Sequence, residues 1–225
     1  MNAFDDLLFA FRDHLRIKSY SPASIATYTD YDRFLEHDID AVVLASDALD
    51  RLVASGHVVA GSRVDLVRSP VAIAVRAGAP RPDVASEAAL RRAVEAARCI
   101  GYSTGPSGAH MLRLFERWGI ADSIRPRTVQ APPSVPAGAL LARGEVALGF
   151  QQLSELMHLE GIAVIGTLPT GCDFITTFSG GLCAASAQAG AVQALLEFMA
   201  LPAADAAKRR HGMEPAARPT AGDTP

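Results

Sequence analysis

From about residue 38 onward this 225-residue chain alternates short apolar runs with stretches of helical periodicity. That alternation restricts the fold to an α/β arrangement with largely parallel sheets. Strands are expected at Ala41–Ala45, Val71–Arg76, Ile100–Ser103, Thr128–Ala131, Val146–Phe150, Ile162–Ile165 and Ile175–Leu182. Helices are expected at Asp47–Ala54, Glu87–Ala97, Ala109–Trp118, Ala137–Ala142, Leu153–Met157, Ala191–Ala200 and Ala203–Arg210. In such sheets ligands gather at the carboxyl ends of the strands, where the loops starting at Ser103, Ala131 and Phe150 emerge.

One of those loops has the chemistry of an anion cradle. It reads Ile100-Gly101-Tyr102-Ser103-Thr104-Gly105-Pro106-Ser107-Gly108-Ala109-His110 and leads into a helix carrying Met111, Leu114, Phe115 and Trp118, with Gly119 placed as a C-terminal cap. The first turn of a helix has free N–H groups and about half a positive charge. Ser103, Thr104 and Ser107 add hydroxyl donors, and the glycines let a ligand approach the backbone. An oxyanion or a carboxylate suits this cradle equally. The plain alternative is that Ser107 or Thr104 caps the helix, which is compatible with binding.

The rest of the sequence removes several function classes. Residues that are 49% hydrophobic and 6% aromatic can form a sizeable core. A net charge of −3 with both signs interspersed makes nucleic acid an unlikely partner. Cys99, Cys172 and Cys183 contain no C-x-x-C pair, and the histidines show no H-E-x-x-H spacing, so neither a metal nor a cofactor is expected. No apolar run approaches the roughly 18 residues of a membrane span, so no membrane insertion is expected. Asp5 and Asp6 stand where an export signal carries Lys or Arg, which reads as a chain without a signal peptide and cytoplasmic as written.

Pro/Gly-rich joints at 78–82 and 169–174 bracket about ninety residues, in the manner of one lobe inserted into another. The expected organisation is a helical N-terminal segment at 1–36, lobe I at 37–78 and 175–215, lobe II at 79–174, and a disordered tail at 216–225. In the first segment Phe4, Leu7, Leu8, Phe11 and Leu15 form a helical stripe, and Ser19–Ser24 caps a second helix through Ile25, Tyr28 and Phe34.

Several stretches in a fixed order carry a resemblance. These are Asp40–Leu44 with Ala48–Leu52, the Ser69–Arg76 strand, the Tyr102–Gly108 loop, Leu141–Gln152, Leu195–Met199, Pro202-Ala203 and His211–Pro215. Together they resemble the type-2 periplasmic binding proteins, in particular the molybdate-binding-like branch of ABC-transporter solute receptors. The resemblance implies two α/β lobes clasping a small anion, a periplasmic location and an ABC-transporter permease as partner. The same branch is similar to aconitate isomerases, which move a double bond in a small tricarboxylic acid. The alternative is therefore an isomerase acting on a small di- or tricarboxylic acid, since a fold does not separate receptor from enzyme. Phe11–Tyr28 is similar to the start of the core-binding domain of tyrosine recombinases, with Arg12, Arg16 and Lys18 as its cations. In place of the receptors' opening strand, loop and helix stands this helical N-terminus, which is expected to remove half of the usual binding wall and a central strand, leaving backbone groups unpaired.

The candidate ligand-binding residues are Ser103, Thr104, Ser107, Gly108, Ser134, Val135, Gln151 and Gln152. Ser134 and Val135 follow a strand and precede a helix, so their N–H groups are candidates for the same ligand, the alternative being a rigid connector. Gln151 and Gln152 offer amides that donate to a carboxylate while accepting from a hydroxyl, the alternative being a solvated helix start. For an isomerase, His110 is the titrating group nearest the cradle and the candidate base. Ser46 reads as a helix cap. Asp173 and Glu155 show no paired-carboxylate arrangement.

Overall fold

The computed structural model describes residues 17–19, 39–132 and 135–217. Ser134, the expected N-terminal hairpin, nearly all of the recombinase-like run and residues 218–225 of the expected tail lie outside the described residues. The elements are β1 (Ile17–Ser19), β2 (Ala41–Ala45), α1 (Ser46–Ala54), β3 (Val64–Arg76), α2 (Glu87–Ala96), β4 (Ile100–Tyr102), α3 (Pro106–Arg117), α4 (Ala121–Ile124), a 3-10 turn (Arg125–Arg127), β5 (Thr128–Gln130), α5 (Ala137–Ala142), β6 (Leu148–Gln152), α6 (Leu153–Leu156), β7 (Ile162–Thr167), β8 (Ile175–Leu182), α7 (Ala189–Ala200), a second 3-10 turn (Pro202–Ala204), α8 (Asp205–Arg210) and β9 (Glu214–Pro215). The fold is α/β. The described residues divide into two units, the first containing 17–19, 39–68 and 177–217 and the second 69–132 and 135–176.

The crossings at 68/69 and 176/177 fall inside β3 and β8, and not at the Pro/Gly joints. Pro70 explains how a strand can change partners there. Proline has no N–H for a ladder. β3 bonds β9 at Val67 and Arg68 and β6 from Val71 onward, so Ser69 and Pro70 mark the change between these two partners, with β8 also beside β3 in the sheet.

In the first unit β2 lies between β8, antiparallel with Ala45 opposite Phe178, and β1, parallel with Ile17 opposite Ala41. This corrects the expected loss of pairing. A three-residue strand stands beside β2 where unpaired backbone was foreseen. Gly180 on β8 takes the close approach of α7, since a Cβ there would lie 2.4 Å from Leu196, and Gly181 that of Val58 (2.7 Å) and of Leu49 on α1 (3.1 Å). The end of the unit is fastened by Ala216, whose N–H donates to the Leu66 carbonyl (3.2 Å), one residue into the expected tail.

In the second unit β3 is antiparallel to β7 on one side and β6 on the other, and β6, β4 and β5 run parallel. From Val71 to Val75 β3 is buried on both faces, because the two sides pack into separate apolar clusters under helices. Val71, Ile73 and Val75 pack with Leu90, Ile100, Met111, Phe115 and Phe150. Ala72 and Ala74 face Ala137, Leu140, Leu141 and Leu156. α2 begins on Ser86, whose hydroxyl accepts from the Ala89 N–H (3.2 Å). Its last carbonyls are covered by Arg127, which donates to Val94 (3.1 Å), Glu95 (2.9 Å) and Ala97.

Candidate functional site

The parallel order β5, β4, β6 brings the ends of three strands side by side. Register pairs Tyr102 with Gln130 and with Phe150. β4 ends at this pair, so Ser103 is the first residue past the strand, while β6 continues through Gln151 and Gln152.

α3 starts three residues earlier than periodicity suggests, because Pro106 occupies its first turn with a preset φ and no N–H to lose. The helix closes as expected. Gly119 has φ +68°, its N–H bonds the Glu116 carbonyl (2.9 Å), and Ile120 N–H reaches back to Phe115 (3.1 Å). The ladder opens with Ala109 N–H on the Gly105 carbonyl (3.1 Å), so the N–H groups of Ser107 and Gly108 are the orphans of the first turn.

Ser103 and Ser107 are buried, and their hydroxyls bond each other at 2.7 Å. Two hydroxyls sharing one bond leave one proton to donate elsewhere. Thr104 Oγ1 is itself buried and has no partner. Gly108 holds this arrangement together sterically. A Cβ there would stand 1.7 Å from the Ser103 carbonyl oxygen and 2.9 Å from the Tyr102 ring, so only glycine lets α3 seat against the loop.

The two glutamines diverge. β6 runs two residues further than the sequence pattern suggests, so both end a strand and neither opens a solvated helix. Both are buried. Gln152, with its amide turned so that each end is satisfied, donates to the Ser69 (2.9 Å) and Pro70 (3.2 Å) carbonyls and accepts from Thr176 Oγ1 (2.5 Å). It holds the β3 backbone where the partner changes and has no donor left over. Gln151 Oε1 accepts from the Ala137 N–H at the start of α5 (2.6 Å), and its Nε2 donates to Glu155 Oε2. Val135 spends its N–H on the Pro132 carbonyl (3.0 Å), the turn expected of a rigid connector.

His110 is placed on α3 with its ring stacked on Phe174, centroids 4.5 Å apart and planes 14° apart. Its Nε2–H donates to the Cys172 carbonyl (3.1 Å), which leaves Nδ1 as the acceptor. Burial lowers its pKa, which favours the neutral ring. The carboxyl that sequence reasoning passed over is Glu155. Burial raises its pKa against the hydrogen bond from Gln151, and Oε1 is buried without a partner. The signal was the four-residue spacing from Gln151, hidden while the strand was taken to end at Phe150. Among the described residues no group of His, Cys, Asp and Glu is arranged to hold a metal ion, and no helix is long and apolar enough to cross a membrane.

Ser46 begins α1 and does not cap it. Its hydroxyl lies 3.0 Å from the Thr177 carbonyl and 2.7 Å from Ser179 Oγ. Ser179 donates to Asp65 (2.6 Å), which is paired with Arg63 (2.9 Å).

The family model of the bacterial extracellular solute-binding proteins matches residues 28–214. This chain belongs to that family. Over 177 residues the solute-binding chain is 41% identical to an aconitate isomerase from Pseudomonas, covering 78% of its own length and 67% of the relative's. Its fold is that of the type-2 periplasmic binding proteins. It superposes on the periplasmic molybdate-binding protein of Azotobacter vinelandii with a TM-score of 0.72 at 17% identity, covering 96% of this chain and 94% of the other. On the tungstate-binding protein of Desulfovibrio alaskensis G20 the TM-score is 0.60 at 15% identity, with the same coverage.

Proposed function

We propose that this solute-binding protein holds a small di- or tricarboxylate at the start of α3. The observation that carries the reading is the Thr104 hydroxyl, buried without a partner beside the orphan N–H groups of Ser107 and Gly108. A buried donor left unmade costs about 1–3 kcal/mol, so a hydroxyl kept in that condition is explained by a ligand that completes it. A carboxylate is preferred over a tetrahedral oxyanion because the 41% identical relative acts on a carboxylic acid by name, whereas the oxyanion receptors share the fold at 15–17% identity. As a receptor it would stand in the periplasm and pass its ligand to an ABC-transporter permease.

The test is a thermal-shift screen followed by calorimetry with cis-aconitate, trans-aconitate, citrate, molybdate, tungstate and sulfate. A ligand at 100 times its Kd adds about 2.7 kcal/mol to stability. Stabilisation by a carboxylate and by no oxyanion is the expected result; the reverse overturns the choice of ligand.

The same identity favours a second reading, in which the chain interconverts cis- and trans-aconitate. Moving that double bond takes a proton from one carbon and returns one to another, so composition is unchanged and an acid–base group suffices. Proton NMR of a mixture of cis-aconitate and the protein distinguishes the two: an unchanged spectrum leaves a receptor, and appearance of the trans isomer establishes the enzyme.

A further inference from the structure

Glu155 is one hydrogen bond away from Gln151, the residue that follows Phe150 on β6, and Phe150 is paired with Tyr102 at the carboxyl end of β4, next to Ser103. Its two oxygens are treated differently. Oε2 accepts from the Gln151 amide, and that amide is itself fixed by the Ala137 N–H at 2.6 Å. Oε1 is buried and meets no donor. An ionised carboxylate in that place would bury a charge with one neutral partner, which is costly. A neutral acid with its carbonyl oxygen on Gln151 and its hydroxyl on Oε1 fits the contacts, and leaves one O–H directed at nothing in the chain.

The surroundings supply no counter-charge. α6 packs against β6 and β7, and α5 meets the same strands. Their sequences, Leu153–Leu156, Leu148–Gln152, Ile162–Thr167 and Ala137–Ala142, contain no titratable side chain except Glu155. His158 and Glu160, next along the chain, are exposed. Burial, the larger influence, raises the Glu155 pKa.

Resting on the reading that a carboxylate binds at the start of α3, we propose that Glu155 enters the complex as a neutral acid and donates its Oε1 hydrogen to the bound anion. Binding then requires a proton that the protein carries. Affinity falls as pH rises through the Glu155 titration, because the ionised form meets the anion as a like charge. A site built this way favours ligands that accept a short O–H···O bond, which a carboxylate does well.

The experiment measures Kd for cis-aconitate, trans-aconitate and citrate by calorimetry from about pH 5.5 to about pH 8.5, in wild type, Glu155→Gln and Glu155→Ala, each first shown by circular dichroism to be folded. Each ligand's own ionisation affects all three proteins alike, so the difference between profiles isolates Glu155. Glu155→Gln keeps a donor that does not titrate. It is expected to bind within a few-fold of wild type at the acid end and to lose the wild-type decline toward the alkaline end. Glu155→Ala is expected to lose about tenfold or more at the acid end, the worth of one hydrogen bond to a charged group. If wild type binds and Glu155→Gln keeps the wild-type pH slope, or Glu155→Ala binds as wild type does, the role of Glu155 is overturned and the binding reading stands. If wild type binds none of the three acids, the binding reading fails and this one with it.

Discussion

Each unit holds a run of bonded polar side chains, and the two runs end differently. In the first, buried Ser179 is joined to half-buried Ser46 and to the exposed Asp65–Arg63 pair, in a run of bonds that ends on the Thr177 carbonyl and on Asp50, 2.6 Å from Arg63. In the second, the run from Ala137 through Gln151 stops at Glu155, whose Oε1 is buried without a partner, as is Thr104 Oγ1. A polar group that finds its partners within the chain is structure. One that is buried and does not find them is the place to look for a ligand.

The comparison is broken most forcefully at Gly108. Gly108→Ala drives a methyl to within 1.7 Å of a backbone oxygen, and a loss of about 3 kcal/mol or more in urea unfolding is expected. Little loss would mean that α3 can lift from the Ser103 loop, and the cradle would not be rigid. Next in size is Ser179→Ala, which removes the donor to Asp65 and the neighbour of Ser46 from a fully buried site. Denaturant unfolding should show a loss of about 1–2 kcal/mol.

Thr104→Val carries the opposite sign. It removes a hydroxyl with no partner, so the ligand-free protein should gain stability, by up to about 1 kcal/mol, while the Kd for the bound anion rises several-fold. A destabilised Thr104→Val protein would place Thr104 with the structural hydroxyls of the first unit. The smallest effects are in pH dependence and again differ in sign. Burial opposes ionisation of Asp65, but bonds from Arg63 and Ser179 hold its pKa below 3.8, so its contribution is present above that value and lost as pH falls through the folded pKa. Glu155 is raised above 4.5, so its contribution is complete below that value and lost as pH rises through the folded pKa. Scans of Tm against pH should therefore show Asp65→Asn converging on wild type in acid and Glu155→Gln overtaking it toward neutrality.

Elements with strong periodicity and clear end signals could be read directly from the chain. Ala41–Ala45, Ala137–Ala142 and Ile175–Leu182 match their expected bounds, and the Gly119 cap is where its positive φ requires it. The first half of β3 could not be read, because Pro70 looks like a strand breaker until the change of pairing partner is known. Phe198 and Met199 have the composition of core but are half-buried, while Val192, Leu195 and Leu196 carry the buried face of α7. The site was legible as a loop and not as a bonding pattern. Nothing in the order of residues says that Gln152 is spent on its own strand, or that Gln151 turns toward a carboxyl four positions on; those facts depend on which carbonyls and N–H groups tertiary packing leaves open.

Trp118 is the chain's single tryptophan. It lies buried in the second unit, with its indole N–H on Glu87 (2.7 Å) beside an Arg117 that bonds both Glu87 (2.6 Å) and the Gly171 carbonyl (3.0 Å). Tryptophan fluorescence, excited selectively over the tyrosines, is thus a reporter of one unit alone, while far-UV circular dichroism sums over both. Overlaying the two melting curves asks whether the units lose structure in one cooperative step, and a fluorescence midpoint displaced from the dichroism midpoint would divide the molecule into parts that melt independently.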